Sequence, residues 1–260
     1  MIQPTSWRKK KVLNKNLSRR DLLQRSAALG VAAALPLSFA SCFEKPHSAH
    51  SEATEPSGAN PLKPPANDNV KVACLFSSNV TLIDWVGPEA VFDAWVYDES
   101  TKQDRAVFEV FTVGESREIK DLGFNVIPDY TYEDAPHAQV IVVPAQSGSP
   151  QFYNWPKNAS EGADLTMSVC TGARHLATLG LLDDQIATTH HDFIKPYSQE
   201  FPKVHWVAER RFVEGPKIAT SAGVTAGIDL ALRVVERYFG RQKALAVTKV
   251  IEYQGTAWMV

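Results

Sequence analysis

The sequence predicts an α/β fold built around a mostly parallel central sheet, and three observations carry that expectation. The runs VKVACLF (Val70–Phe76), VFEVFTVG (Val107–Gly114) and QVIVVPA (Gln139–Ala145) are short and almost continuously apolar. That is the pattern of strands buried on both faces. Helical stretches alternate with them, as layered α/β proteins require. Finally, DLTMSVC followed by TGARHLATLGLL reads as strand, sharp turn and helix, with Cys170 at the corner of a nucleophile elbow.

Composition limits the partners before any element is placed. A chain of 260 residues, 44% hydrophobic and 22% charged, has globular composition and room for one or two domains. Its formal charge of −2 is unevenly divided, because residues 1–41 hold eight Lys or Arg and a single acid, Asp21. The remainder carries 19 basic and 28 acidic residues, net −9. An acidic surface repels phosphate backbones, so nucleic acid is not an expected partner.

The basic stretch WRKKKVLNKNLSRRDLLQRS and the Ala-rich run AALGVAAALPLSFA have the layout of an export signal over residues 1–41. The run is shorter than the roughly 20 apolar residues that span a bilayer. Cleavage is therefore expected over permanent anchoring. Ser18 to Gln24, SRRDLLQ, resembles a twin-arginine signal, with Arg19 and Arg20 as the pair. The resemblance implies the twin-arginine machinery as a partner, export in a folded state, and a periplasmic or cell-envelope location. The rival is an ordinary basic leader that contains two arginines. FASC, ending at Cys42, resembles a lipoprotein box, which would make Cys42 the lipidated residue and the lipid the only membrane contact; SFA would equally suit simple cleavage. Residues 42–69 include five prolines and few large apolar side chains, the composition of a disordered tether.

Residues 70–260 then form one expected domain, without internal repeat. GPEAVFDAWVYD is expected to start a helix with Gly87 as cap and Pro88 in the first turn. VTAGIDLALRVVERYFG places Thr225, Asp229, Arg233, Glu236 and Arg237 on one narrow stripe, with apolar residues elsewhere and Gly240 as terminator. RQKALAVTKVIEYQG reads as a final helix, with no appended domain expected after it.

Cys170 has three readings: buried filler, half of a disulfide, or nucleophile. Small residues at Ser168 and Gly172 suit the tight elbow, and amides at the helix start are expected to favour thiolate. Filler is what most free cysteines are. The partner after Cys42 is Cys74, centred in a core strand and badly placed for bridging. Asp84 interrupts the apolar run Val80–Val86, and a carboxylate there must find a donor or stay protonated. It follows a strand of the same sheet as Cys170, so the two are expected at one edge. His190 and His191, read as adjacent strand residues, should point to opposite faces and not share a metal. One of them, His190 by preference, is expected at the pocket rim; no metal or cofactor is expected. Arg174 and His175 read as packing or dimer-face residues.

VTLIDWVGPEAVF, VCTGARHLATLGLLDDQIATTHH and SAGVTAGIDLALRVVERYFG, in this order, resemble the ThiJ/PfpI superfamily of the class I glutamine amidotransferase-like fold, in the branch that includes isocyanide hydratases. The resemblance implies a flavodoxin-like three-layer sandwich, a homodimer, Cys170 at the elbow, Asp84 as its acidic partner and Thr171 beside it. Departures are also present. VPAQSG places Ala145 and Gln146 where the family commonly has two glycines whose amides help bind an oxyanion, and QSGSPQFYNWPKNASEGA reads as short and irregular beside an expected helix. The implied activity is cysteine-dependent addition of water to a small electrophilic carbon, with isocyanide hydration as the concrete example. The rivals are a small-molecule-binding module and a redox or carbonyl-stress protein with an oxidisable cysteine.

Overall fold

The computed structural model describes residues 60–66, 69–98, 102–106, 108–121 and 124–260. The expected leader (1–41), Cys42 and the tether as far as residue 59 lie outside the described residues. Seven strands form the central sheet: β1 (Val70–Phe76), β2 (Phe108–Gly114), β3 (Tyr130–Thr131), β4 (Val140–Val143), β5 (Leu165–Val169), β6 (Phe212–Glu214) and β7 (Ile218–Ser221). Their order is β6-β7-β5-β4-β1-β2-β3. Every neighbouring pair is parallel except β6 with β7.

Helices α1 (Leu82–Phe92), α2 (Pro150–Gly162), α3 (Ala173–Thr178), α4 (Ile194–Glu200), α5 (Ala226–Phe239) and α6 (Arg241–Val250) accompany the sheet, with three small two-stranded pairs outside it among the described residues. The strand period of two divides the core into layers. Val72, Cys74, Val140 and Val142 face one side, packing with Val91 and Phe92 of α1, Leu230 and Val234 of α5, and Val247 of α6. Leu75, Ile141 and Val143 face the other, against Phe152 of α2 and Leu176 of α3. This is a three-layer sandwich with a flavodoxin-like parallel sheet, as the sequence predicts. Cys74 is buried within it, among the core residues.

Three local expectations need correction. Helix α1 starts at Leu82 after Thr81, five residues before Gly87, and Pro88 lies inside it. Its missing N–H forfeits only the bond to the Asp84 carbonyl. Gly87 serves packing instead: a Cβ there would stand 3.2 Å from Ile228 Cγ1. On the facing helix, a Cβ on Gly227 would be 2.9 Å from the Val169 methyls and 3.3 Å from Pro88 Cγ. The two glycines therefore let α1, α5 and the elbow strand approach closely.

The segment read as irregular forms α2, 13 residues long. Ser149 Oγ accepts from Phe152 N at 3.0 Å, and Pro150 occupies the first helical position, where a missing N–H costs nothing. Last, the stretch read as tether is fastened near its end. Leu62 N donates to Arg237 O at 2.8 Å, and Arg237 Nε donates to Asn60 O at 3.2 Å.

The polar stripe of α5 is largely buried and carries ion pairs. Arg233 holds Glu214 at 2.8 Å and Glu236 at 2.9 Å, and Asp229 receives Arg211 and the Tyr253 hydroxyl, the latter at 3.0 Å. Gly240 ends the helix at φ +82°, where a side chain would be strained.

Candidate active site

β5 runs into a single 3-10 turn, Cys170–Gly172, and then into α3. Cys170 sits at the corner with φ +57°, a region that non-glycine residues occupy at a cost. The strain is held by surrounding bonds: Cys170 N donates to Ala222 O at 3.1 Å, and Thr189 Oγ1 donates to Cys170 O at 2.8 Å. Gly172 is required sterically, because a Cβ on it would lie 2.1 Å from the Val143 carbonyl oxygen.

Cys170 is nearly buried, and its sulfur receives the backbone N–H groups of Thr171 and Val224. Val224 has φ +54°, a poor conformation for a β-branched residue. Two strained residues thus face each other across the sulfur. Asp84, wholly buried in the first turn of α1, hydrogen-bonds the Cys170 thiol, and its Oδ2 accepts from Ala145 N at 3.2 Å. Its Oδ1 has no nitrogen or oxygen partner.

The electrostatics differ from the sequence expectation of a thiolate favoured by the elbow alone. Burial pushes the Cys170 thiol up, and the Asp84 charge pushes it further, against the pull of the Thr171 and Val224 amides. Helix α3 has six residues, so its dipole is short. Burial also pushes the Asp84 carboxyl up to about 7, opposed by the Ala145 amide and the Cys170 thiol. Two adjacent buried anions are unfavourable, so the pair holds both protons below about pH 7, keeps one of them above it, and titrates as a unit.

Stability should record the Asp84 proton. Between about pH 4 and 7 the native Asp84 holds a proton that the unfolded chain has released, so stability falls as pH rises through this window and levels off above it. The full effect is on the order of a few kcal/mol. Asp84→Asn should remove this slope, gaining on the parent protein from pH 4 to 7.5 in urea denaturation. Parallel pH–stability curves for the two proteins would contradict the assignment.

The departure at Ala145 and Gln146 has a structural consequence. Ala145 N serves Asp84, so it is not an oxyanion donor in this arrangement. Thr81 N donates to Ala145 O at 2.8 Å, Ser77 N to Gln146 Oε1 at 2.6 Å, and Ser147 N to Ser78 O at 2.8 Å. The segment is therefore stitched to the β1–α1 loop that leads into the helical turn carrying Asp84. His175, expected at a packing or dimer face, is buried and pins the same segment from α3. Its Nε2 lies 2.9 Å from Gln146 O and its Nδ1 3.1 Å from Tyr153 Oη. A carbonyl only accepts, so Nε2 carries the hydrogen, and burial lowers the His175 pKa, which favours the neutral ring. Arg174 is at the surface, paired with Glu200.

Two contributors were not singled out from the sequence. Val224 lies in SAGVTAG, but nothing in that string shows which amide meets the sulfur. Tyr197, on α4, is buried; its hydroxyl bonds the Thr171 side chain and lies close enough to Cys170 to sense its charge.

His190 lines a cavity of about 460 Å³ with Thr188, Thr189, Val224 and Arg211. Cys170 itself is not among the lining residues, although Val224 and Thr189 touch it. The expectation that His190 and His191 diverge fails. They form a turn, not a strand, and their rings stack with centroids 4.4 Å apart and planes 28° from parallel.

A parallel α/β sandwich with a strained cysteine at a strand-to-helix elbow, cupped by backbone amides and bonded to a buried carboxyl, defines a class of elbow-cysteine proteins. The sequence profile of the DJ-1/PfpI family matches residues 70–237, and the chain belongs to that family. It is 33% identical over 140 residues to the isonitrile hydratase of Pseudomonas putida, covering 50% of this chain and 59% of that protein. It is 32% identical over 106 residues to the HTH-type transcriptional regulator CdhR of Pseudomonas aeruginosa, covering 41% of this chain and 31% of the regulator. The matches thus span less than two thirds of either relative. Among solved structures, a ThiJ/PfpI family protein from Pseudomonas syringae superposes with a TM-score of 0.61 at 23% identity, covering 80% of this chain and 85% of that one. Drosophila melanogaster DJ-1beta gives 0.58 at 18% identity, covering 71% and 98%. At those identities the structural likeness shows the fold.

Proposed function

We propose that the protein is a cysteine-dependent hydratase acting on a small electrophilic carbon, with an isocyanide as the substrate class. The single observation that carries this reading is the hydrogen bond between the Cys170 thiol at the elbow and the buried Asp84 carboxyl. Similarity to an isonitrile hydratase supports the substrate class.

The chemistry follows from the proton in that bond. Transfer from sulfur to the Asp84 carboxylate leaves a thiolate held by the Thr171 and Val224 amides. Sulfur bonds to the terminal isocyanide carbon while Asp84 returns the proton to that carbon, giving a thioimidate. The carboxylate then takes a proton from water as its oxygen adds to the carbon, and passes it to the substrate nitrogen. Loss of the hydroxyl proton to Asp84 accompanies C–S cleavage, which releases an N-substituted formamide and restores the pair. Thr171, held by Tyr197, positions the amide at the sulfur.

The test is incubation of the full chain with a small alkyl isocyanide. Formamide release, with a transient adduct on the Cys170 peptide in mass spectra, is expected. Saturable binding without turnover would favour a small-molecule-binding module, the reading supported by the regulator relatives. We further propose that the basic leader directs export, through the twin-arginine route, to the periplasm or cell envelope, and that the domain acts as a homodimer.

A further inference from the structure

At the cavity lined by His190 and Val224 lies a cluster of ligand-type side chains that the proposed reaction does not use. His190, His191 and Asp192 each offer one atom, and these atoms lie within 4.8 Å of one another. Asp192 Oδ2 is 3.6 Å from His190 Nδ1, and its Oδ1 is 3.1 Å from His191 Nδ1. A tetrahedral ion with ligand bonds near 2.0–2.1 Å needs donor separations of roughly 3.3 Å. The two His–Asp spacings, each to a different carboxylate oxygen, bracket that value, and one donor atom from each residue falls within 4.8 Å of the other two.

The backbone explains the convergence. His190 caps a 3-10 turn, His191–Phe193, and this turn stacks the two rings so that both Nδ1 atoms face Asp192. His190 is seated against Gly223, where an added Cβ would come 2.5 Å from its Cδ2. The competing contact at its Nδ1 is a long one, 3.3 Å from Asp192 N. Of the other charges lining the cavity, Glu209 adds a carboxylate and Arg210 a guanidinium, while the guanidinium of Arg211 is engaged by Asp229.

From this geometry we propose that His190, His191 and Asp192 bind one divalent transition-metal ion of the zinc class at the mouth of the cavity. Two imidazole nitrogens with one carboxylate select zinc, cobalt or nickel over magnesium or calcium, which prefer all-oxygen shells. Three protein ligands leave at least one position open to the cavity. Val224, whose amide meets the Cys170 sulfur, lines the same cavity.

The proposal does not depend on hydratase activity, and its test reads metal alone. Untagged full-length protein is titrated with Zn²⁺ by calorimetry and with Co²⁺ by visible absorption. The variants are His191→Ala and Asp192→Asn, both at largely exposed positions, with Cys170→Ser as the thiol control. Expected are a single equivalent bound by the parent and by Cys170→Ser, a cobalt spectrum without a thiolate charge-transfer band, and weakening on the order of 10- to 100-fold in each of the other variants. Absence of uptake overturns the proposal. So does uptake that survives both His191→Ala and Asp192→Asn, or that disappears with Cys170→Ser.

Discussion

Cys170→Ala is expected to lower isocyanide turnover by a factor on the order of 10³ or more while leaving the folded protein intact, because it removes the atom that bonds the substrate. Cys74, the other free cysteine among the described residues, offers no substitute. It is completely buried in β1, and burial pushes its thiol far above the usual range. Asp84→Asn separates the two roles of the pair. Its amide oxygen can still accept from Ala145, but it holds no transferable proton, so turnover should fall by roughly 10²- to 10⁴-fold. Alkylation of Cys170 by iodoacetamide should survive in Asp84→Asn and vanish in Cys170→Ala. Full turnover in Cys170→Ala, measured as formamide release, would remove the covalent mechanism.

Gly172→Ala is expected to be the most disruptive small change in the domain. The new methyl would stand 2.1 Å from Val143 O and 2.8 Å from Pro144 O. Both obstacles are backbone, so relief requires moving the end of β4, where Val143 pairs with Ser168 of β5. Overpacking typically costs about 1–3 kcal/mol, and a clash with fixed backbone belongs at or beyond the upper end. Gly180→Ala is the useful comparison. At φ +73° with nothing within 4 Å of its Cβ, it carries conformational strain without a clash, and its cost should be near 1 kcal/mol. Urea midpoints should therefore fall far more for Gly172→Ala than for Gly180→Ala. Equal midpoints would show that the elbow can open, and the nucleophile's position would then not depend on Gly172.

Much of this was readable in the residues. Nearly continuous apolar runs marked β1, β2 and β4 because strands buried on both faces tolerate few polar positions. The flanking small residues and the change from strand to helix marked Cys170. Gly87-Pro88 has the pattern of a helix start, but the apolar run before it already winds into a helix at Leu82. Helix α2 had a legible signal, Ser149 before Pro150, that was outweighed by the polar residues and second proline following it. His190 and His191 depart from the strand expectation because period-two alternation does not apply to the turn they occupy.

By itself the sequence determined the layered fold, the elbow at Cys170 and the buried acid at Asp84, since each depends on local pattern or on an isolated polar residue in an apolar run. Only the tertiary structure decided what surrounds the sulfur. The Val224 amide, the Tyr197 hydroxyl, the stitching of Ala145 to Asp84 and the convergence of His190, His191 and Asp192 depend on backbone angles and on segments brought together by the sheet. So does the protonation of the pair, because burial, which raises both groups, is a property of the packed molecule and not of either residue.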